Sequence, residues 1–151
     1  MENIHSKGFF LQGISVRTTN QNGQSAKDIG DLWGRFMADD VIEKIEDRIT
    51  DSIYCIYTDY ESDHTGPYTA VLGCPVSSLD NMPVGLISVT VPASEYVRYI
   101  AKGRLPDCVG ETWQEIWNTP LNRTYKADFD VWGEKAQNPE DAEVDIYVGV
   151  L

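Results

Sequence analysis

The stretch Ile29-Gly30-Asp31-Leu32-Trp33-Gly34-Arg35-Phe36 is echoed by Val109-Gly110-Glu111-Thr112-Trp113-Gln114-Glu115-Ile116. Both read apolar, Gly, acid, x, Trp, x, x, bulky apolar, and the second begins 80 residues after the first (29 to 109, 33 to 113). Each copy sits in a window of helical apolar spacing, with strand-like runs on either side. A solenoid needs at least about three such units to bury a continuous core, so two copies argue against one. They fit two similar halves packed as a single domain, roughly 1–80 and 81–151, with a cleft where the halves meet.

The runs around the repeat supply the remaining elements. Gly8 to Thr18 reads as a strand covered on much of both faces. Ser25 with Asp28 resembles a helix N-cap and its acidic partner three residues on. From there Ile29, Leu32, Trp33, Phe36, Met37, Val41 and Ile45 form one apolar stripe, with Asp39-Asp40 as a point of interruption or kinking. Ser52 to Tyr60 and Tyr68 to Val76 pair as a hairpin across a polar turn, and Pro75 limits pairing at the far end. Ser77 to Pro83 is a connecting loop.

In the second half, Leu86 to Val91 is a strand, Pro92 breaks or bulges it, and Ser94 to Ala101 continues it. The second helix carries Val109, Thr112, Trp113, Ile116 and Trp117 and stops at Pro120. Ala127 to Trp132 and Val144 to Leu151 complete the unit as strands. In the last of these, Val144, Ile146, Val148 and Val150 alternate with Asp145, Tyr147 and Gly149. Each half thus reads β-α-β-β, which predicts an α+β fold of duplicated units: a largely antiparallel sheet with two helices on one side.

Charge narrows the function. A formal net charge of −12 argues against direct binding to nucleic acid or to an anionic membrane, since both need Lys and Arg against phosphates. It is compatible with a cationic ligand. No basic n-region with an apolar h-region opens the chain, and no apolar run approaches the roughly 18 residues of a membrane span. Cys55, Cys74 and Cys108 are widely spaced and form no CxxC pair, which predicts reduced, buried thiols and a cytoplasmic location.

No metal cluster, nucleotide loop or nucleophile elbow is readable, so no metal, cofactor or catalytic residue is expected. His64, in the turn after Tyr60, reads as solvated. What remains is aromatic residues near acids. Trp33 and Trp113 lie in the helical stripes, where a Trp is usually core. Lining a cleft, their rings would attract cations and stack on flat ligands. Asp130 alternates with Phe129 and Val131 and shares its face with Asp128 and Trp132. By pattern alone that face is solvent; inside a cleft the same acid would pair with a ligand cation.

The layout resembles the GyrI-like effector-binding domain family, with a SOUL-like fold and a central cleft. Its members include the drug-binding domains of bacterial multidrug-responsive transcription regulators, AraC-type among them, and free-standing integron-associated effector-binding proteins. The likeness rests on Tyr57-x-x-Tyr60 with Gly66-x-Tyr68; Met82-Pro83-Val84-Gly85 and Val91-Pro92-Ala93; Val109-Gly110-x-x-Trp113-x-x-Ile116-Trp117; Phe129-Asp130-Val131-Trp132; and Ile146-Tyr147-Val148. It implies that Asp130 stands where the family has a drug-binding Glu, one methylene longer, and Trp132 where it has a Tyr. It also implies that Tyr147 is a pocket tyrosine, that Trp113 and Trp33 flank the cleft, and that Tyr57 and Tyr68 lie near its rim.

Three readings follow from the resemblance. The first is a stand-alone binder of small amphipathic molecules, cationic and aromatic. The second is a hydrolase of reactive electrophiles in which Asp130 and Tyr147 position water. The third is an acidic interaction protein whose partner is a transcription regulator or DNA gyrase.

Overall fold

The computed structural model describes residues 2–151. Its frame is a bent ribbon. β1 (Glu2–Ser6) runs into β2 (Phe9–Thr18), and β5 (Ile87–Val91) runs into β6 (Ser94–Gly103). β1 pairs with β6, and β2 with β5, in a register that keeps the same offset across the bend: Glu2 faces Arg98, Ser6 faces Ser94, Phe9 faces Val91 and Gly13 faces Ile87. Every such pair of numbers sums to 100. Both strands bend at the same level. There Gly8 adopts φ 86, and a side chain on it would meet the Val91 carbonyl oxygen at 2.6 Å. Only glycine fits that crossing.

The other strands hang from this ribbon. β3 (Ile53–Thr58) and β4 (Tyr68–Val76) form the expected hairpin, and β4 lies against β2. β7 (Ala127–Trp132) and β8 (Ala142–Val150) repeat the arrangement against β6. β3 pairs antiparallel with β7, giving the order β1-β6-β8-β7-β3-β4-β2-β5. The strands at the two ends of that order belong to the same ribbon, so the sheet curls upon itself. The protein is α+β, with an antiparallel sheet of eight strands.

Helix α1 (Gln24–Ala38) and helix α3 (Asp107–Trp117) pack on one face of the sheet. α1 buries Leu32 and Phe36 against Ile14, Cys55 and Leu72; α3 buries Val109 and Ile116 against Val97, Ile146 and Val148. The curled opposite face holds a third core with no helix over it, drawing Leu11, Ile56, Val71, Val91, Tyr96 and Phe129 from six strands. All three cysteines are buried and unpaired.

Several local expectations change. β1 was not legible, because five polar-rich residues at an edge carry no apolar alternation. Ser25 does not cap α1. The helix starts at Gln24 behind Gly23 in the left-handed region, while Asp28 accepts bonds from Thr18 Oγ1 (2.9 Å) and Gln24 Nε2 (3.1 Å). Asp40, at φ 51, separates α1 from the short helix α2 (Val41–Lys44), so Asp39-Asp40 ends the helix instead of kinking it. The run broken at Pro92 is kept: β5 ends at Val91 and β6 resumes at Ser94, on the two sides of the ribbon's bend.

Candidate functional site: a carboxylate under an aromatic cavity

α1 and α3 stand apart over the β3–β7 seam, and between them lies a cavity of about 440 Å³. That is within the usual range for small-molecule sites, roughly 300–1,000 Å³. The repeated motif explains why it exists. Gly30 on α1 and Gly110 on α3 both line the cavity, and a Cβ on either would meet nothing within 4 Å. Each motif therefore puts a bare turn of helix beside the cavity, with a tryptophan three residues on.

Trp33 and Trp113 form walls, and Tyr57, Tyr68, Asp130 and Trp132 line the cavity with them. Trp33 meets Trp132 edge-on at 5.0 Å, and Trp113 meets Tyr57 edge-on at 5.3 Å. These contacts hold the rings upright, so their faces are not consumed by stacking on one another.

Asp130 is 1% exposed. Tyr57, diagonal to it across the β3–β7 pair, donates its hydroxyl to Oδ2 at 2.6 Å, and Trp113 Nε1 donates to Oδ1 at 3.3 Å. Trp132 Nε1 lies near the same carboxyl without a well-formed bond. No Lys or Arg pairs with it in any ion pair among the described residues. Burial pushes its pKa up to about 7 and Asp128 adds to the rise, while the Tyr57, Trp113 and Trp132 donors pull it partly back. The acid is poised to change charge near neutrality. Tyr57 is driven well above its ordinary pKa by burial and by Asp130, so it remains a donor.

Asp128, two residues earlier on the same face, is treated differently. It is fully buried but saturated, accepting from Arg123 Nη2 (2.8 Å), Tyr60 Oη (2.5 Å) and the Gly149 amide (2.7 Å). One face of one strand thus carries a neutralised structural acid and an unpaired one.

Of the residues expected at the site, Asp130, Trp132, Trp113, Trp33, Tyr57 and Tyr68 all line the cavity. Tyr147 does not. Its neighbour Ile146 pairs with Asp130 and faces the helices, so Tyr147 projects from the other face and stacks on Phe129 at 4.7 Å. The Asp130–Tyr147 pair behind the water-activating hydrolase reading therefore does not form. The strand's own alternation held this answer, with Ile146 in the apolar series and Tyr147 out of it.

A family model described as "Integron-associated effector binding protein" (Cass2) matches residues 5–150. The chain belongs to that family. YobU of Bacillus subtilis strain 168, a transcriptional regulator by name, is 31% identical over 143 residues, covering 91% of this chain and 89% of YobU. The crystal structure of an integron cassette protein from the mobile metagenome of Vibrio cholerae is 28% identical, covers 99% of this chain and 95% of its own, and superposes with a TM-score of 0.76. The structure of SAV2435 bound to tetraphenylphosphonium shares the fold at a TM-score of 0.81 with 18% identity, covering 99% of this chain and 93% of its own. The chain is thus an effector-binding domain with relatives named as transcription regulators.

Sequence reasoning missed cavity residues that lie in irregular segments. Arg123, in the loop before β7, is 3% exposed in its side chain; His64, within the turn between β3 and β4, stacks its ring flat on Trp117 at 5.5 Å instead of being solvated. Tyr60 lines the cavity as well. No periodicity exists in such loops to place a side chain. Among the described residues no helix is long and apolar enough to cross a membrane, and no group of acids, histidines and cysteines has metal-binding geometry.

Proposed function

We propose that this effector-binding domain takes up an amphipathic aromatic cation between α1 and α3, with Asp130 as the counter-charge. The observation that carries the reading is the buried, cation-free Asp130 carboxyl under upright aromatic walls. Leaving a carboxylate unpaired in an apolar site is costly, and a permanent cation removes that cost on binding. The rings add cation–π attraction of about 0.5–2 kcal/mol each. The tetraphenylphosphonium held by SAV2435 on the same fold has the matching chemistry: a delocalised cation wrapped in phenyl rings.

In this reading the two units, about 1–80 and 81–151, act as one ligand domain, each giving a helix and a tryptophan to one cavity. The chain senses or sequesters its ligand in the cytoplasm and passes the signal to a transcriptional partner. Titrating tetraphenylphosphonium and a panel of cationic dyes against tryptophan fluorescence tests it. Saturable, stoichiometric quenching in the native protein that is lost in Asp130→Asn supports the reading. A flat response to the whole panel, or identical curves for the two proteins, removes it.

A further inference from the structure

The cavity has a second polar pole, opposite in charge to Asp130. Arg123 lines the cavity with its guanidinium 5.9 Å from the Trp113 ring centroid and 4.4 Å over the Tyr125 ring. Trp113 reaches Asp130 through its indole nitrogen. The basic and acidic groups therefore flank a single indole. Arg123 spends only Nη2 on Asp128; its Nε and Nη1 are buried and have no protein partner. His64, stacked on Trp117 at the same cavity, also has a buried Nδ1 without a partner. A guanidinium carries five N–H donors, and buried donors normally find acceptors, since each one left unmade costs about 1–3 kcal/mol.

We infer that Arg123 and His64 form a specificity subsite for an uncharged hydrogen-bond acceptor on the ligand, a carbonyl or ether oxygen, set one ring's width from the cation held by Asp130. An acceptor is called for because the unmet groups on Arg123 are donors. It is uncharged because Asp128, 0% exposed, already balances the guanidinium, and a second anion there would face Asp128 and Asp130 together. Burial, and after it the neighbouring Arg123 charge, hold His64 below its ordinary pKa, so its ring does not bring a second cation to the subsite. The inference rests on the proposed cation site and specifies the ligand further: an aromatic cation bearing an oxygen acceptor binds better than a bare one.

The test compares tetraphenylphosphonium with its para-acetyl derivative by calorimetry, in the native chain, Arg123→Lys and His64→Phe. Lys keeps a cation for Asp128 but loses the guanidinium fork; Phe keeps a ring against Trp117 but loses the nitrogens. The expected result is about 10-fold tighter binding of the acetyl compound by the native chain, the worth of one hydrogen bond to a charged donor. That preference disappears in Arg123→Lys and shrinks in His64→Phe. Because the readout is a ratio between two ligands on one protein, a general loss of stability does not imitate it. Equal binding of the two compounds by the native chain overturns this subsite and leaves the Asp130 reading standing. A preference that persists in both variants also overturns it. If neither compound binds the native chain, the cation site falls and the subsite falls with it.

Discussion

The two faces of β7 hold aromatic residues in similar numbers and do opposite things with them. On the helix side, Trp33, Trp113, Trp132 and Tyr57 meet edge-on around about 440 Å³ of space with an unpaired acid below. On the curled side, Phe129 is stacked by Tyr54 at 5.7 Å and by Tyr147 at 4.7 Å, with Phe9 and Tyr96 against its edges. That side is filled. The difference lies in what sits between the rings. Bare glycine turns and a carboxyl keep the first set apart, whereas the second has nothing to stop it from packing. Aromatic abundance does not make a site; an unmet charge and preserved space do.

The largest effect that separates the faces is on stability. Phe129→Ala removes the ring at the centre of the packed side and is expected to cost about 3–5 kcal/mol, read by denaturant unfolding. Trp33→Ala should cost clearly less, because its ring borders space already open. Equal losses would erase the distinction.

Next comes ligand affinity. Asp130→Asn is expected to weaken tetraphenylphosphonium by about 2–4 kcal/mol at about pH 8, the cost of stripping one partner from a buried charge pair. Tyr147→Phe should leave affinity unchanged. A comparable loss from Tyr147→Phe would mean that the back face takes part after all.

The same Asp130 substitution should stabilise the empty protein. The unfolded chain sheds the Asp130 proton near 3.8, while the folded chain holds it to about 7. Stability therefore falls as pH rises between those values and stays low above them. Asp130→Asn is expected to melt higher than the native chain at about pH 8 and to gain nothing near pH 4, the difference being on the order of a few kcal/mol. Thermal melts across that range check it; a native curve that rises with pH would contradict the unpaired state of the acid.

A smaller effect concerns the space itself. Gly110→Leu projects a side chain into open cavity, so it should block the ligand while raising helix stability by up to about 1 kcal/mol. Calorimetry and melting on one sample check both halves. Ligand binding that survives Gly110→Leu would place the site elsewhere.

These contrasts also mark how far the sequence could be read. The repeated Gly-acid-x-Trp motif marks both helices, and the duplication implies a cleft; that Gly30 and Gly110 leave it open is visible only in the structure. Alternation placed Asp130 on the Asp128–Trp132 face. Whether that face meets water or helix depends on how the ribbon curls, a non-local property set by a register running from the Glu2–Arg98 pair to the Gly13–Ile87 pair. Tyr147 belongs to the expected site by resemblance alone, whereas the alternation of its own strand turns it to the other face. Arg123 and His64 sit in loops, where position is fixed by contacts such as the Arg123–Asp128 pair and the His64–Trp117 stack and by no repeat.

The central claim is that Asp130 binds its ligand by ionising. Calorimetric titration of tetraphenylphosphonium near pH 6, repeated in buffers of different ionisation enthalpy, counts the protons set free. With the acid titrating at about 7, the account predicts release approaching one proton per ligand in the native chain and none in Asp130→Asn. Binding with no proton release, or with equal release from both proteins, would contradict it.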